Sequence, residues 1–405
     1  MEYESQRFFE PYDPKLCQTC GRCLAECDVM RLSLDQAKAE IERLRAGETG
    51  EHVPYHCETC FACSLRCEHN ANPASLFRAS FTPIYEQQGL PAWSAYFQPH
   101  QPHNFRQAAA DDFNAEEREL VQSWARLDPA EEICYPGCNV VSLPLLTKSA
   151  LFEGLDIRGG YDYCCGETLF RQGLEDQLRG TARRLNQWLE QMGTRKMTIL
   201  CTAGYNIFRH VLPRYGLTRE LEITPYLELI DQGLESGRWK VVRPLEMTVT
   251  LQDSCYTKLL GPRYAELPRR ILRRIGVDVR EMPHCRENSY CCGIGAGFPI
   301  KISHRPDRMV LGGHRVLAEA RSVKADALGV YCAGCQMMLS AMRHVSYTSK
   351  PIYHLIEMVQ MAIGEQPARR IGSRSRALLL GTLRRQGPAL ASRKRLRPEP
   401  IEPLD

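Results

Sequence analysis

Long apolar runs are missing from this chain. The longest near its C-terminal end, Ala377–Leu383, is broken by Gly381 and falls far short of the ~20 residues a membrane-spanning helix needs. A basic-then-apolar leader is missing as well: the chain opens MEYESQRFFEPYD, acidic and aromatic. The expected compartment is therefore the cytoplasm, with any membrane association reached through a partner. A strong charge of either sign is absent. Lys and Arg number 52 against 48 Asp and Glu, and this balance gives no case for nucleic acid. No GxGxxG opens a helix after a convincing strand, so neither a flavin nor a nicotinamide site is read.

What the chain has in excess is cysteine, 19 in 405 residues. In a small secreted protein this would suggest disulfides. Here the chain is long and its cysteines cluster at metal-ligand spacing, so thiolates holding metal are the better reading. Two motifs share one pattern: Cys17-x2-Cys20-x2-Cys23-x3-Cys27 and Cys57-x2-Cys60-x2-Cys63-x3-Cys67. A CxxCxxC loop wraps three corners of a [4Fe–4S] cubane, and the fourth cysteine serves the neighbouring cluster. One cubane is thus assigned Cys17, Cys20, Cys23 and Cys67, the other Cys57, Cys60, Cys63 and Cys27. Paired zinc knuckles fit two such runs poorly. The proline usual after the fourth cysteine is replaced by Asp28 and Glu68. An ionised carboxylate there would make a cluster harder to reduce.

Between the motifs, Leu32, Ala37, Ile41 and Leu44 recur at helical spacing and Gly47 supplies a stop. The polar stretch 99–117 reads as a connector. Beyond about residue 131, short apolar runs alternate with long amphipathic ones, which predicts α/β units around a mainly parallel sheet. This pattern then repeats. Cys138, Cys165 and Cys201 find counterparts in Cys255, Cys292 and Cys332, at offsets of 117, 127 and 131 residues. Three landmarks in one order with drifting offsets indicate two homologous modules with loop insertions. The expected division is 1–125, 126–245, 246–365 and a basic, proline-containing tail at 366–405. That tail holds ten basic residues from Arg369 to Arg397 against three acidic ones. It reads as solvated and flexible, with a docking arm for an acidic partner as the sharper alternative.

The second module reads Cys255-x35-Cys291-Cys292-Gly293-x38-Cys332-x2-Cys335. It resembles the CCG domain of heterodisulfide reductases, and the whole chain is similar to that family's fused layout. The resemblance implies a helical two-[4Fe–4S] ferredoxin-like domain followed by two α/β CCG domains. It also implies that Cys255, Cys291, Cys292, Cys332 and Cys335 hold a non-cubane [4Fe–4S] cluster. Gly293, Gly295 and Gly297 would let backbone approach such a core. The neighbouring pair His284-Cys285 is read as structural. The first module departs from the pattern. It offers Cys138, Cys164, Cys165 and Cys201 as tentative ligands, but Gly204 stands where the last cysteine should be, unless Cys134 moves in. Either a further cluster or a degenerate remnant fits this set.

The resemblance implies an electron-relay subunit of a larger oxidoreductase, with flavoprotein, hydrogenase-type or quinone-linked partners. Two rivals share the layout. One is a catalytic heterodisulfide or thiol–disulfide reductase subunit, and the other is the iron–sulfur subunit of a glycolate, lactate or glycerol-3-phosphate dehydrogenase.

Overall fold

The computed structural model describes residues 4–101, 104–294, 306–346, 348–390 and 392–404. Its first part is helical. Ser33 caps the helix Leu34–Arg45, accepting from the Gln36 N–H while the Gln36 side chain accepts from Ser33 in return. Ala37, Ile41 and Leu44 form its buried stripe. Glu40 is buried beside them, and its carboxylate accepts the N–H groups of Glu51 (2.8 Å), His52 (3.1 Å) and Val53 (2.8 Å). These are donors that the first turn of helix Val53–His56 leaves unpaired. The linker helix thereby fixes the approach to Cys57.

Among the described residues nine strands follow one another: β1 (Leu90–Pro91), β2 (Glu132–Tyr135), β3 (Lys196–Ile199), β4 (Glu222–Pro225), β5 (Met247–Gln252), β6 (Val277–Val279), β7 (Ala327–Val330), β8 (Ile352–His354) and β9 (Arg395–Leu396). They build two parallel sheets, ordered β2-β3-β4 and β6-β5-β7-β8, and one short antiparallel pair, β1-β9. A parallel bridge from Ile157 to Cys134 on β2 takes the place that β6 takes beside β5. The two sheets therefore repeat one arrangement. In each, a cysteine follows the first strand within three residues, Cys138 after β2 and Cys255 after β5. Another opens the helix after the next main strand, Cys201 after β3 and Cys332 after β7. Both pairs lie at the carboxyl ends of parallel strands, where open α/β sheets place their ligands.

Each sheet ends in a strand that runs directly into a helix, Tyr226–Glu235 after β4 and Leu355–Ala362 after β8. His354 caps the second of these, its Nδ1 accepting the Ile356 N–H at 3.3 Å. Burial holds this imidazole down to about 3, against about 6.5 in the unfolded chain. Between those values only the unfolded state takes up the proton, so the contribution to stability is complete above pH 6.5 and is lost as pH falls below it. From pH 7.5 to 5.5 the loss should approach 1.4 kcal/mol, about the value of one pKa unit. His354→Asn, which keeps a capping side chain, should narrow the gap between urea midpoints at the two pH values. An unchanged gap would show that His354 does not titrate on unfolding.

Part of the basic tail is folded onto the rest of the chain, while Arg376, Arg384, Arg393, Lys394, Arg395 and Arg397 stay exposed. Residues Ile371–Leu390 form a helix packed against the helix Phe105–Ala110. Arg374 is 1% exposed and pairs with Glu117, itself 2% exposed, and with Asp112 at 3.3 Å. Arg370 joins the same carboxylate, and Arg385 pairs with Asp111. Their acidic partners lie in the stretch read as a connector, which carries two helices capped by Asn104 and Asn114. Beyond β9 the chain runs along the helix Glu175–Met192. The Ile401 carbonyl lies so near Gly180 that a Cβ there would sit 2.5 Å from it. Composition counted these arginines as solvent-seeking because it could not see the anions that receive them. Among the described residues no helix is long and apolar enough to cross a membrane.

Candidate metal centres

Cys17, Cys20, Cys23 and Cys67 line one cavity of the helical part. Cys27, Cys57, Cys60 and Cys63 line a second, and Cys23 also borders it. The two loops curl alike. Thr19 and Gly21 flank Cys20 at φ 52° and 75°, and Thr59 and Phe61 flank Cys60 at φ 48° and 63°. Successive residues of this kind form a nest of inward N–H groups suited to an anionic core. The thiols are crowded. Burial, followed by Cys67, Cys20 and Cys17, pushes Cys23 up to about 12. Burial, followed by Cys57, Cys23, Cys60 and Cys27, holds Cys63 well above the usual thiol range. As thiolates, such sets need a cationic core between them. Thr59 Oγ1, buried and without a hydrogen-bond partner among the described residues, lines the second cavity and suits a bulky acceptor there. No three His, Cys, Asp or Glu side chains among the described residues are placed to hold a single metal ion. A cubane instead keeps its ligands at the corners of a four-iron body. The two acidic neighbours do not act as free charges, since Asp28 pairs with Arg66 at 2.8 Å and Glu68 with Arg22 at 2.5 Å.

In the second α/β module, Cys291 lies against Cys255 and Cys292, and Cys335 lies against Cys292 and Cys332. Gly293 has φ 92°, and a Cβ there would meet the Met309 carbonyl at 2.5 Å, so only glycine fits this turn. Gly295 and Gly297 lie outside the described residues. His284 stacks on Tyr290 at 4.0 Å and pairs with Glu319. The groups bearing on Cys285 are Glu281, Asp253, Arg269 and Arg286, and none of them is a thiol.

The first module brings Cys138 against Cys164, with Cys165 adjoining. Cys201 is buried nearby. A Cβ at Gly204 would meet Ile199 at 3.3 Å, Cys201 at 3.5 Å and the Tyr135 ring at 3.8 Å. The corner of the missing cysteine thus holds no thiol, and the Tyr135 ring borders it at ordinary contact distance, with its hydroxyl donating to the Tyr163 carbonyl at 2.6 Å. Cys134 precedes Tyr135 on β2 and so projects from the opposite face. Burial alone raises its thiol, with no contribution from the other cysteines. In this structure it does not join the module's other cysteines.

Four residues that the cysteine pattern did not disclose join these sites. Phe61, beside Cys60, and Tyr256, beside Cys255, pack with ring centroids 5.6 Å apart. Arg171 lies over both rings, 5.8 Å from the first and 5.1 Å from the second. Its Nη2 donates to Cys255 Sγ at 3.1 Å. Glu167 pairs with Arg171 and accepts from the Tyr256 hydroxyl at 2.9 Å. Glu167 and Arg171 sit one turn apart on the helix Glu167–Gln172, directly after Cys164-Cys165-Gly166. That i,i+4 pair beside a cysteine motif was the one available signal.

Residues 249–340 match the CCG cysteine-rich domain family, a span that takes in Cys255, Cys291, Cys292, Cys332 and Cys335. One subunit of the dihydromethanophenazine:CoB–CoM heterodisulfide reductase of Methanosarcina barkeri is 26% identical, over 76% of this chain and 77% of that protein. The EtfAB:quinone oxidoreductase of Syntrophomonas wolfei is 27% identical, over 41% of this chain and 24% of that protein. The probable iron–sulfur-binding oxidoreductase FadF of Bacillus subtilis is 33% identical, over 45% and 25% respectively. This chain therefore spans three quarters of the first relative but only about a quarter of the other two.

Proposed function

From the premise that the chain is a heterodisulfide reductase-like iron–sulfur protein with a CCG cysteine-rich domain, we propose that it is the electron-transfer subunit of a multi-subunit oxidoreductase. Cys17, Cys20, Cys23 and Cys67 would hold one cubane, and Cys57, Cys60, Cys63 and Cys27 the other. Cys255, Cys291, Cys292, Cys332 and Cys335 would hold a CCG cluster. When bound, these groups supply one-electron storage and transfer.

The observation that carries the reading is the Phe61–Tyr256 contact. It joins the second cysteine loop of the helical part to the first cysteine of the complete CCG module through two packed rings. At the other end Cys17 and Cys20 are partly exposed, so a redox partner can approach the first set from outside. Cys23 borders both cavities of the helical part. The three sets thus adjoin in series through the chain's own residues. The partners follow by class, a flavoprotein, hydrogenase-type or quinone-linked subunit, and the setting is the cytoplasm.

The first module is proposed to support the fold without a cluster of its own, because Gly204 supplies no thiol where the last ligand should stand. This weighs against the catalytic reading, in which two complete CCG sites share one substrate. Iron, zinc and acid-labile sulfide per chain, measured on anaerobically purified protein with EPR spectra across a redox titration, test the proposal. About twelve irons and three reducible centres are expected. About sixteen would restore a cluster to the first module and revive the catalytic reading, and about eight would reduce both modules to scaffold. Zinc in place of iron would overturn the proposal.

A further inference from the structure

Arg171 belongs to the first α/β module, yet it serves the second. Its guanidinium is buried, 3.1 Å from Cys255 Sγ, and Nη1 has no hydrogen-bond partner among the described residues. An orphaned, buried cationic donor beside five gathered thiols fits an anionic inorganic core, which would accept from it. The first module's own lead cysteine is treated in parallel. Arg106, buried on the helix Phe105–Ala110, faces Cys138 and Cys164. Each module thus receives its arginine from the preceding part of the chain.

We propose that the first module sets the reduction potential of the centre in the second, through Arg171 opposed by Glu167. This rests on the reading that Cys255, Cys291, Cys292, Cys332 and Cys335 hold a cluster. The physical argument is one of charge. Reduction adds an electron to an already anionic group. A buried cation hydrogen-bonded to a ligating sulfur stabilises the reduced form, and hydrogen bonding to sulfur is among a protein's main controls on such potentials. Glu167 is paired with Arg171 and offsets part of that effect. The Tyr256 hydroxyl, donating to Glu167, holds the carboxylate in place. The guanidinium also covers the rings of Phe61 and Tyr256, so the same charge sits at the junction between the helical part and the module. A module that has lost its own last cysteine would thereby keep a role that a mere scaffold does not have.

The test uses the anaerobically purified full chain, with iron content and EPR-monitored midpoints read for wild type, Arg171→Met, Arg171→Lys and Glu167→Gln. With iron unchanged, Arg171→Met should lower the midpoint of the second-module centre by at least 59 mV, a tenfold change in a one-electron equilibrium. Arg171→Lys should restore at least half of that shift, and Glu167→Gln should raise the midpoint. The other two centres should not move. Arg171→Met leaves Glu167 without its cation. If that variant loses the cluster, Glu167→Gln decides alone, because it retains the arginine. Iron-replete Arg171→Met and Glu167→Gln proteins with midpoints within 59 mV of wild type would overturn the proposal. A wild-type protein with only about eight irons would instead overturn the reading on which it rests.

Discussion

Replacing Cys292 with alanine should strip the protein of about a third of its iron, from about twelve atoms per chain to about eight. Cys201→Ala should strip none. The two cysteines occupy modules of the same architecture but unequal sites. Cys292 lies between Cys291 and Cys335, and hydrogen bonding to both holds its thiol below the usual thiol range. Its loss leaves four thiols that no longer close around a shared core. Cys201 lies where the neighbouring corner holds Gly204 and no thiol. Iron and acid-labile sulfide, with circular dichroism to confirm folding, read both variants. A folded Cys292→Ala protein with its full iron would remove the cluster from the second module. A loss of about four irons in Cys201→Ala would place one in the first.

Arg269→Met should destabilise the protein by about 3–5 kcal/mol, the range for removing one partner of a buried ion pair. Arg269 is 1% exposed and Asp253 is wholly buried, and they pair through two bonds of 3.0 and 2.8 Å. Arg269 also holds Glu281 at 2.6 Å. Asp253 gathers the approaches to three cysteine positions. It precedes Cys255, accepts the Arg286 N–H at 2.6 Å ahead of Cys291, and accepts the Tyr331 hydroxyl at 2.8 Å beside Cys332. Without Arg269 that carboxylate is a buried charge with no cation, so the second module should lose iron as well as stability. The double variant Arg269→Met/Asp253→Asn should regain part of the loss, because the buried charge goes too. A urea midpoint for Arg269→Met equivalent to less than 1 kcal/mol of destabilisation would refute this account.

The cysteines were legible because inorganic chemistry fixes their spacing and leaves little freedom in sequence. The strand–helix alternation was legible because burial imposes a period. Residues whose role depends on a distant partner were not. Arg374 carries no mark in sequence that Glu117 awaits it, and in isolation it reads as a solvated charge. Glu40 looked like one more polar position on an amphipathic helix, yet it accepts three N–H groups of the segment leading to Cys57. Phe61 and Tyr256 were visible as neighbours of cysteines, but nothing local says that one faces the other across 195 residues (61 to 256). One of the long amphipathic runs extends from Glu167 to Met192. The chain breaks it at Gly173, which adopts φ 70° between the helices Glu167–Gln172 and Glu175–Met192.

The pairing of Glu117 with Arg374 joins positions 257 residues apart, and β1 pairs with β9 across more than 300. A nascent chain emerges from the ribosome in order, and early segments fold as they appear only when their contacts are local. Here the helices that follow the second cysteine loop reach the exit tunnel's mouth with their carboxylates unpaired, and Glu117 meets Arg374 only 257 residues later. The helix Phe105–Ala110 therefore gains its packing partner Ile371–Leu390 only late in synthesis.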